Sequence, residues 1–159
     1  TTVKILFPAL DTQQGVHLSG QSEQSVSDRK LSGTVLLVDD EDTVRVIGRK
    51  MLEHLGMHVL TAENGLKALE FFRDNPQDIS LVLLDLTMPH LGGEDTFREI
   101  RRIRKDLPVI ISSGYSEYEV GQRFAGKGVS CFIQKPYQLA VLKTKIMKAM
   151  SLDKTETLV

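Results

Sequence analysis

Residues 79–93 read ISLVLLDLTMPHLGG, and the apolar run that opens this stretch decides the fold. Ile79 to Leu84 form a short aliphatic block, closed by the carboxylate of Asp85 and followed by a Pro and two glycines that mark a loop. A strand that is apolar along its whole length is covered on both faces, and such strands belong to parallel sheets flanked by helices. Outward in both directions the block recurs: TVLLV at 34–38, MHVLTA at 57–62, PVIIS at 108–112 and VSCFIQ at 129–134.

Between the blocks the apolar residues change to helical spacing. Val44, Ile47, Met51, Leu52 and Leu55 predict a first helix that Gly56 closes as a left-handed cap. A second begins near Asn64, a good N-cap, and runs through Leu66, Leu69 and Phe72 to the Asn75–Pro76 turn. Phe97, Ile100 and Ile103 mark a third after Gly92–Gly93; a shorter polar one covers Glu117 to Ala125; Leu139, Leu142, Ile146 and Met150 mark the last. Strand and helix alternate five times, so the sequence predicts an α/β fold, a (βα)5 doubly wound parallel sheet, from Thr34 to Met150.

Composition agrees with one domain. The chain has 159 residues, 41% hydrophobic and 26% charged, enough for one sizeable core. A net charge of −1 leaves no broad electrostatic footprint for nucleic acid or an anionic membrane. Cys131, the single cysteine, lies in an apolar run and reads as core. No apolar run approaches the ~18 residues of a membrane span, and no signal peptide is legible, so a soluble, cytoplasmic fragment is expected, whatever anchors its parent. His17, His54, His58 and His90 are scattered and show no ligand spacing.

In an open α/β sheet, ligands sit at the carboxyl ends of the strands. The first strand ends in Asp39-Asp40-Glu41-Asp42, the third in Asp85, the fourth in Ser112-Ser113-Gly114 and the fifth in Lys135-Pro136. Part of the acidic run suits the positive end of the helix that follows. Asp39 and Asp40 follow the strand directly, however, and beside Asp85 their crowding favours a bound cation; hard oxygen ligands with open positions suit Mg2+. Asp85 faces an open loop and is a candidate nucleophile. Lys135 would neutralise a phosphoryl oxygen or pair with an aspartate. Ser113 offers a hydroxyl at the same edge, or caps the strand end.

VLLVDDED, LVLLDLTMP, PVIISSGYS and FIQKPY, in this order and spacing over residues 34–150, resemble the signature segments of the response-regulator receiver domain. The resemblance implies a five-stranded sheet in the order 2-1-3-4-5 and a phosphoryl group taken from a phosphohistidine. It makes Asp85 the phosphoacceptor. It has Asp40, Asp85 and the Thr87 backbone carbonyl ligate Mg2+, with Asp39 holding a metal-bound water. Lys135 and Ser113 would contact the phosphoryl oxygens, Phe132 would be the aromatic switch partner of Ser113, and the Lys135–Pro136 bond would be cis. Gly114 departs from the Ala common in the family, which loosens the loop or eases access to the phosphate. The fourth helix, fifth strand and fifth helix would form the face that meets a partner.

FAGKGVSCFIQKPY further resembles receivers appended to hybrid sensor histidine kinases, and TTVKILFPAL at 1–10 resembles the last strand of a histidine-kinase ATP-binding domain. The expected organisation is therefore a kinase remnant at 1–10, a polar linker at 11–33, the receiver at 34–150 and a tail at 151–159. The start at Thr1 suggests an excerpt, and the short tail a receiver that ends its parent. The expected partners are a histidine kinase domain of the same parent as donor and a histidine phosphotransfer protein for onward relay; no nucleic acid and no membrane contact are expected. Two alternatives stand beside this. Asp40-Glu41-Asp42-Thr43-Val44 fits the DxDx(T/V) pattern of haloacid-dehalogenase-type phosphatases, with Asp40 as nucleophile, and a stand-alone single-domain response regulator would carry the same signature.

Overall fold

A computed structural model describes residues 30–74 and 76–152. The expected kinase remnant, the linker up to residue 29, His17 and the tail from residue 153 lie outside the described residues. The elements are β1 (Thr34–Val38), α1 (Asp42–His54), β2 (His58–Ala62), α2 (Gly65–Asp74), β3 (Leu81–Asp85), α3 (Gly93–Ile103), β4 (Val109–Ser113), α4 (Glu117–Phe124), β5 (Cys131–Gln134) and α5 (Leu139–Leu152). Among the described residues the strands form one parallel sheet in the order β2-β1-β3-β4-β5. This is the doubly wound architecture and the strand order expected.

Period-two alternation divides the core. Leu36, Val38, Val82, Leu84 and Ile111 face one way, onto Ala68, Phe72, Phe97, Ile100 and Phe124 of α2, α3 and α4. Val35, Leu37, Leu81, Leu83 and Ile110 face the other, onto Leu52 of α1 and Leu142 and Ile146 of α5. Strands buried on both sides need apolar residues throughout, which is why β3 is LVLLD.

Four strand starts were expected one or two residues too early, at Met57, Ile79, Pro108 and Val129. The cause is visible at Pro108, which has no N–H to give yet accepts from the Val82 N–H at 3.0 Å: apolar burial and part of the ladder continue past the regular strand. In α1 the wall of the core is Gly48 and Leu52, leaving Ile47 at 49% exposure. Leu66 of α2, expected inward, is likewise exposed, because Gly65, Ala68 and Phe72 take the buried face.

The helix ends follow local chemistry. Asn64 Oδ1 accepts from the Lys67 N–H at 2.9 Å at the start of α2. Ser116 and Glu119 form a reciprocal capping box on α4. Gly56 (φ 96°) turns the chain out of α1 and donates to the Glu53 carbonyl at 3.0 Å. Leu31, in the stretch read as linker, donates to the Leu55 carbonyl at 2.8 Å and packs against the α1/α5 side of the core.

Candidate functional site

Strand register assembles the site. Val38 stands opposite Leu84, so the next residues, Asp39 and Asp85, emerge side by side from β1 and β3. Asp85 pairs with Ser112 of β4, and Ser113 pairs with Gln134 of β5, which brings Lys135 to the same edge. The chain after Asp85 turns tightly. The Gly93 N–H closes the loop on the Leu86 carbonyl at 3.2 Å, and a Cβ at Gly93 would sit 2.2 Å from the Asp85 carbonyl oxygen, so only glycine fits there.

Lys135 Nζ donates to Asp39 Oδ2 at 2.6 Å and pairs with Asp85 Oδ1 at 3.1 Å. Asp39 and Asp85 are 1% and 4% exposed, so both pairs are shielded from water. Asp40 is exposed, yet one carboxylate oxygen each from Asp39, Asp40 and Asp85 lies within 4.8 Å of the others. Ser113 is buried and its Oγ accepts from the Tyr115 N–H at 3.1 Å, which leaves the hydroxyl hydrogen available to give. The strand-end capping role and a donor role are thus compatible.

Burial of Asp85 is the strongest influence on its carboxyl and raises its pKa above the ordinary range. Lys135 opposes this, the Asp39 charge adds to it, and the Thr87 backbone amide lowers it somewhat. For Lys135, burial works against the ammonium, but the hydrogen bond it donates to Asp39 and the charges of Asp85 and Asp39 outweigh it, so the pKa lies above its ordinary value. A nucleophile more basic than usual thus sits beside a firmly charged cation.

A cleft of about 610 Å³ opens over these groups, lined by Asp40, Glu41, Asp85, Thr87, Gly114, Tyr115 and Lys135. A Cβ at Gly114 would meet nothing within 4 Å, so that wall is open. Phe132 is half-buried; its ring lies 6.1 Å from that of Phe124, which meets Phe97 edge-on at 5.6 Å. The Lys135–Pro136 bond is cis. His54, His58 and His90 join no metal-capable cluster among the described residues.

The sequence reading missed Arg45, whose Nη1 donates to the Asp39 carbonyl at 2.6 Å and whose Nη2 donates to Asp42 Oδ1 at 2.7 Å. An acid three residues before a basic residue on a helix was the available signal for half of that contact. Tyr137 was also missed. Its buried hydroxyl finds no partner among the described residues and lies against Gly48.

The sequence matches the family described as the response regulator receiver domain over residues 35–147. It is 31% identical over 155 residues to the sensor kinase CckA of Brucella abortus, covering 94% of this chain and 16% of that protein. The chain therefore spans about a sixth of that relative's length. Among solved structures, a receiver domain protein from Clostridium thermocellum is 31% identical with a TM-score of 0.72, covering 77% of this chain and 98% of that one. The response regulator TrrA of Thermotoga maritima, solved with Mg2+-BeF, is 32% identical with a TM-score of 0.66, covering 74% of this chain and 98% of that one.

Proposed function

The chain belongs to the response regulator receiver family, and from that membership and the site's geometry we propose that Asp85 accepts a phosphoryl group from a phosphohistidine in a two-component phosphorelay. The observation that carries this reading is the convergence of Asp39, Asp40, Asp85, Ser113 and Lys135 at neighbouring strand ends, with Lys135 Nζ at 3.1 Å from Asp85 Oδ1. In the transfer, an Asp85 carboxylate oxygen bonds to phosphorus as the donor's nitrogen–phosphorus bond breaks, and the electron pair of that bond stays on the imidazole. Lys135 stands where it neutralises charge on the equatorial oxygens, and Ser113 gives its hydroxyl hydrogen to one of them.

The donor set suits Mg2+: three hard carboxylate oxygens lie within 4.8 Å of one another, and Asp40 and Asp85, which carry two of them, line an open cleft. Asp40, Asp85 and the Thr87 carbonyl would hold the ion, with Asp39 holding a water on it. When bound, it supplies charge neutralisation for the transferring group. Asp40 as the nucleophile of a phosphatase draws no support from the family match; it lies exposed on the rim, whereas Asp85 is buried at the base.

The parent is read as a hybrid sensor histidine kinase, whose kinase domain charges Asp85 and whose receiver passes phosphate to a histidine phosphotransfer protein. The likeness to CckA supports this over a stand-alone regulator, because covering 94% of this chain takes it into the residues before Thr34. The charging partner has a surface to rest on. An apolar groove of about 290 Å³, lined by Val44, Ile47, Met51 and Pro136, adjoins the cleft and shares Glu41 and Lys135 with it. Phosphorylation would shift Ser113 and Phe132 and so alter the α4–β5–α5 face, where Tyr118, Val141 and Met147 are exposed.

The reading is tested by incubating the chain with Mg2+ and a small phosphodonor and recording intact mass. The native chain gains one phosphoryl group and Asp85→Asn gains none. A native chain that stays unmodified in Mg2+, or a variant modified equally, overturns the assignment.

A further inference from the structure

Resting on the receiver reading, we propose that Arg45 is a positioning residue: its guanidinium fork holds the acidic turn at 39–42 in the shape that presents Asp39 and Asp40 to a divalent cation beside Asp85. The turn must carry the chain from β1 into α1 while keeping adjacent carboxylates close together, and their mutual repulsion works to open it. Arg45, one turn into α1, reaches back across this junction. Nη1 donates to the Asp39 carbonyl at 2.6 Å and Nη2 to Asp42 Oδ1 at 2.7 Å.

The two halves of the fork differ in kind. The Asp42 side chain is 84% exposed, and an acid three residues before an Arg at a helix start is a common, weak pair. The bond to Asp39 joins a helix side chain to the end of a strand, and the Arg45 side chain itself is only 16% exposed. Helix capping does not account for it.

With this bond Asp39 is held at four points. Its N–H donates to the Ala62 carbonyl at 3.1 Å, Oδ1 accepts from the Glu41 N–H at 3.0 Å, Oδ2 accepts from Lys135 at 2.6 Å, and its carbonyl accepts from Arg45. Arg45 takes the carbonyl and Asp42, not the carboxylates of Asp39, Asp40 and Asp85. A guanidinium on those carboxylates would compete with a cation; directed at the Asp39 carbonyl, it fixes the turn and adds no cation to their oxygens beyond Lys135. A lysine would bring the same charge but no planar fork, so the role is specific to arginine.

The test titrates MgCl2 alone into the chain by isothermal titration calorimetry, for the native sequence, Arg45→Lys, Arg45→Met and Asp42→Asn, with melting curves alongside. Loss of a residue that orients metal ligands from behind costs about 10- to 100-fold in metal affinity, and that is the weakening expected for both Arg45 variants. Asp42→Asn removes only the charge, since its amide oxygen still accepts from Nη2, so both arms of the fork remain and the affinity stays near native. Phosphorylation by a small donor slows in the Arg45 variants at limiting Mg2+ and recovers at saturating Mg2+, because the reacting groups are untouched. Should Arg45→Met fail to fold, Arg45→Lys, which keeps the charge, decides. Native Mg2+ affinity in Arg45→Lys overturns the role of the fork, and native affinity in both with only a lowered melting temperature reduces Arg45 to a structural residue. If the native chain itself takes up neither Mg2+ nor phosphoryl, the receiver reading fails; if it takes up both and only the Arg45 result is negative, the clamp alone fails.

Discussion

Asp85 is held 4% exposed with a second carboxylate beside it, and its raised pKa means that the folded chain binds the Asp85 proton more tightly than the unfolded chain does. Stability contributed by this group therefore falls as pH rises: the penalty is absent below the unfolded value of about 3.9 and complete above the folded one. Asp85→Asn, which cannot ionise, should melt above the native chain at neutral pH in metal-free buffer containing a chelator. The gap should close as pH drops through the Asp85 range, while Lys135 keeps Asp39 at 2.6 Å. Melting curves at neutral pH and below about pH 3.9 decide it, and a variant less stable than native at neutral pH would contradict the burial argument. Asp85 was legible because it ends an apolar run, and Lys135 because it directly follows the last strand. Arg45 was not, since nothing in its neighbours announces that its side chain turns back to the end of β1.

At the scale of elements, α3 begins against the backbone of the residue it serves. A Cβ at Gly93 would meet the Asp85 carbonyl oxygen at 2.2 Å and Leu86 Cα at 2.7 Å, both backbone atoms that cannot swing aside. Gly93→Ala should cost roughly 1–3 kcal/mol, as overpacking does, and should slow phosphoryl uptake by displacing Asp85. Gly121→Ala in α4 is the control. Its Cβ would meet nothing within 4 Å, so the change should stabilise the chain by roughly 0.5–1 kcal/mol, read from urea midpoints. The elements themselves were readable: aliphatic blocks gave the strands, and Asn64 and Gly56 marked real helix ends. Boundaries such as Ile79 were less so, because Ile79 is buried at 2% although β3 begins only at Leu81; burial, which sets the pattern, does not stop where regular pairing does.

For the molecule as a whole, strand count was legible but strand order was not. Five apolar runs say nothing of who pairs with whom; the order 2-1-3-4-5 rested on a family resemblance, and the sheet has that order. The order places β1 and β3, the acid-bearing strands, side by side in the sheet. A cation relieving that crowding would bind the folded chain and not the unfolded one. Mg2+ at 100 times its dissociation constant should therefore stabilise the whole domain by about 2.7 kcal/mol. The melting temperature should rise with Mg2+ and fall back on chelation, and the rise should be much smaller in Asp40→Asn. An equal rise in that variant would place the ion elsewhere.

Lys135 and Asp39 meet across 96 residues of sequence, and that separation bears on the life of the chain during its synthesis. A nascent chain has β1 and β3, and with them its acids, long before β5 is made; until then the pocket has no ammonium and no closing strand. On the proposed reading, a copy still emerging from the ribosome, or one truncated before residue 135, carries the acceptor but is poorly chargeable.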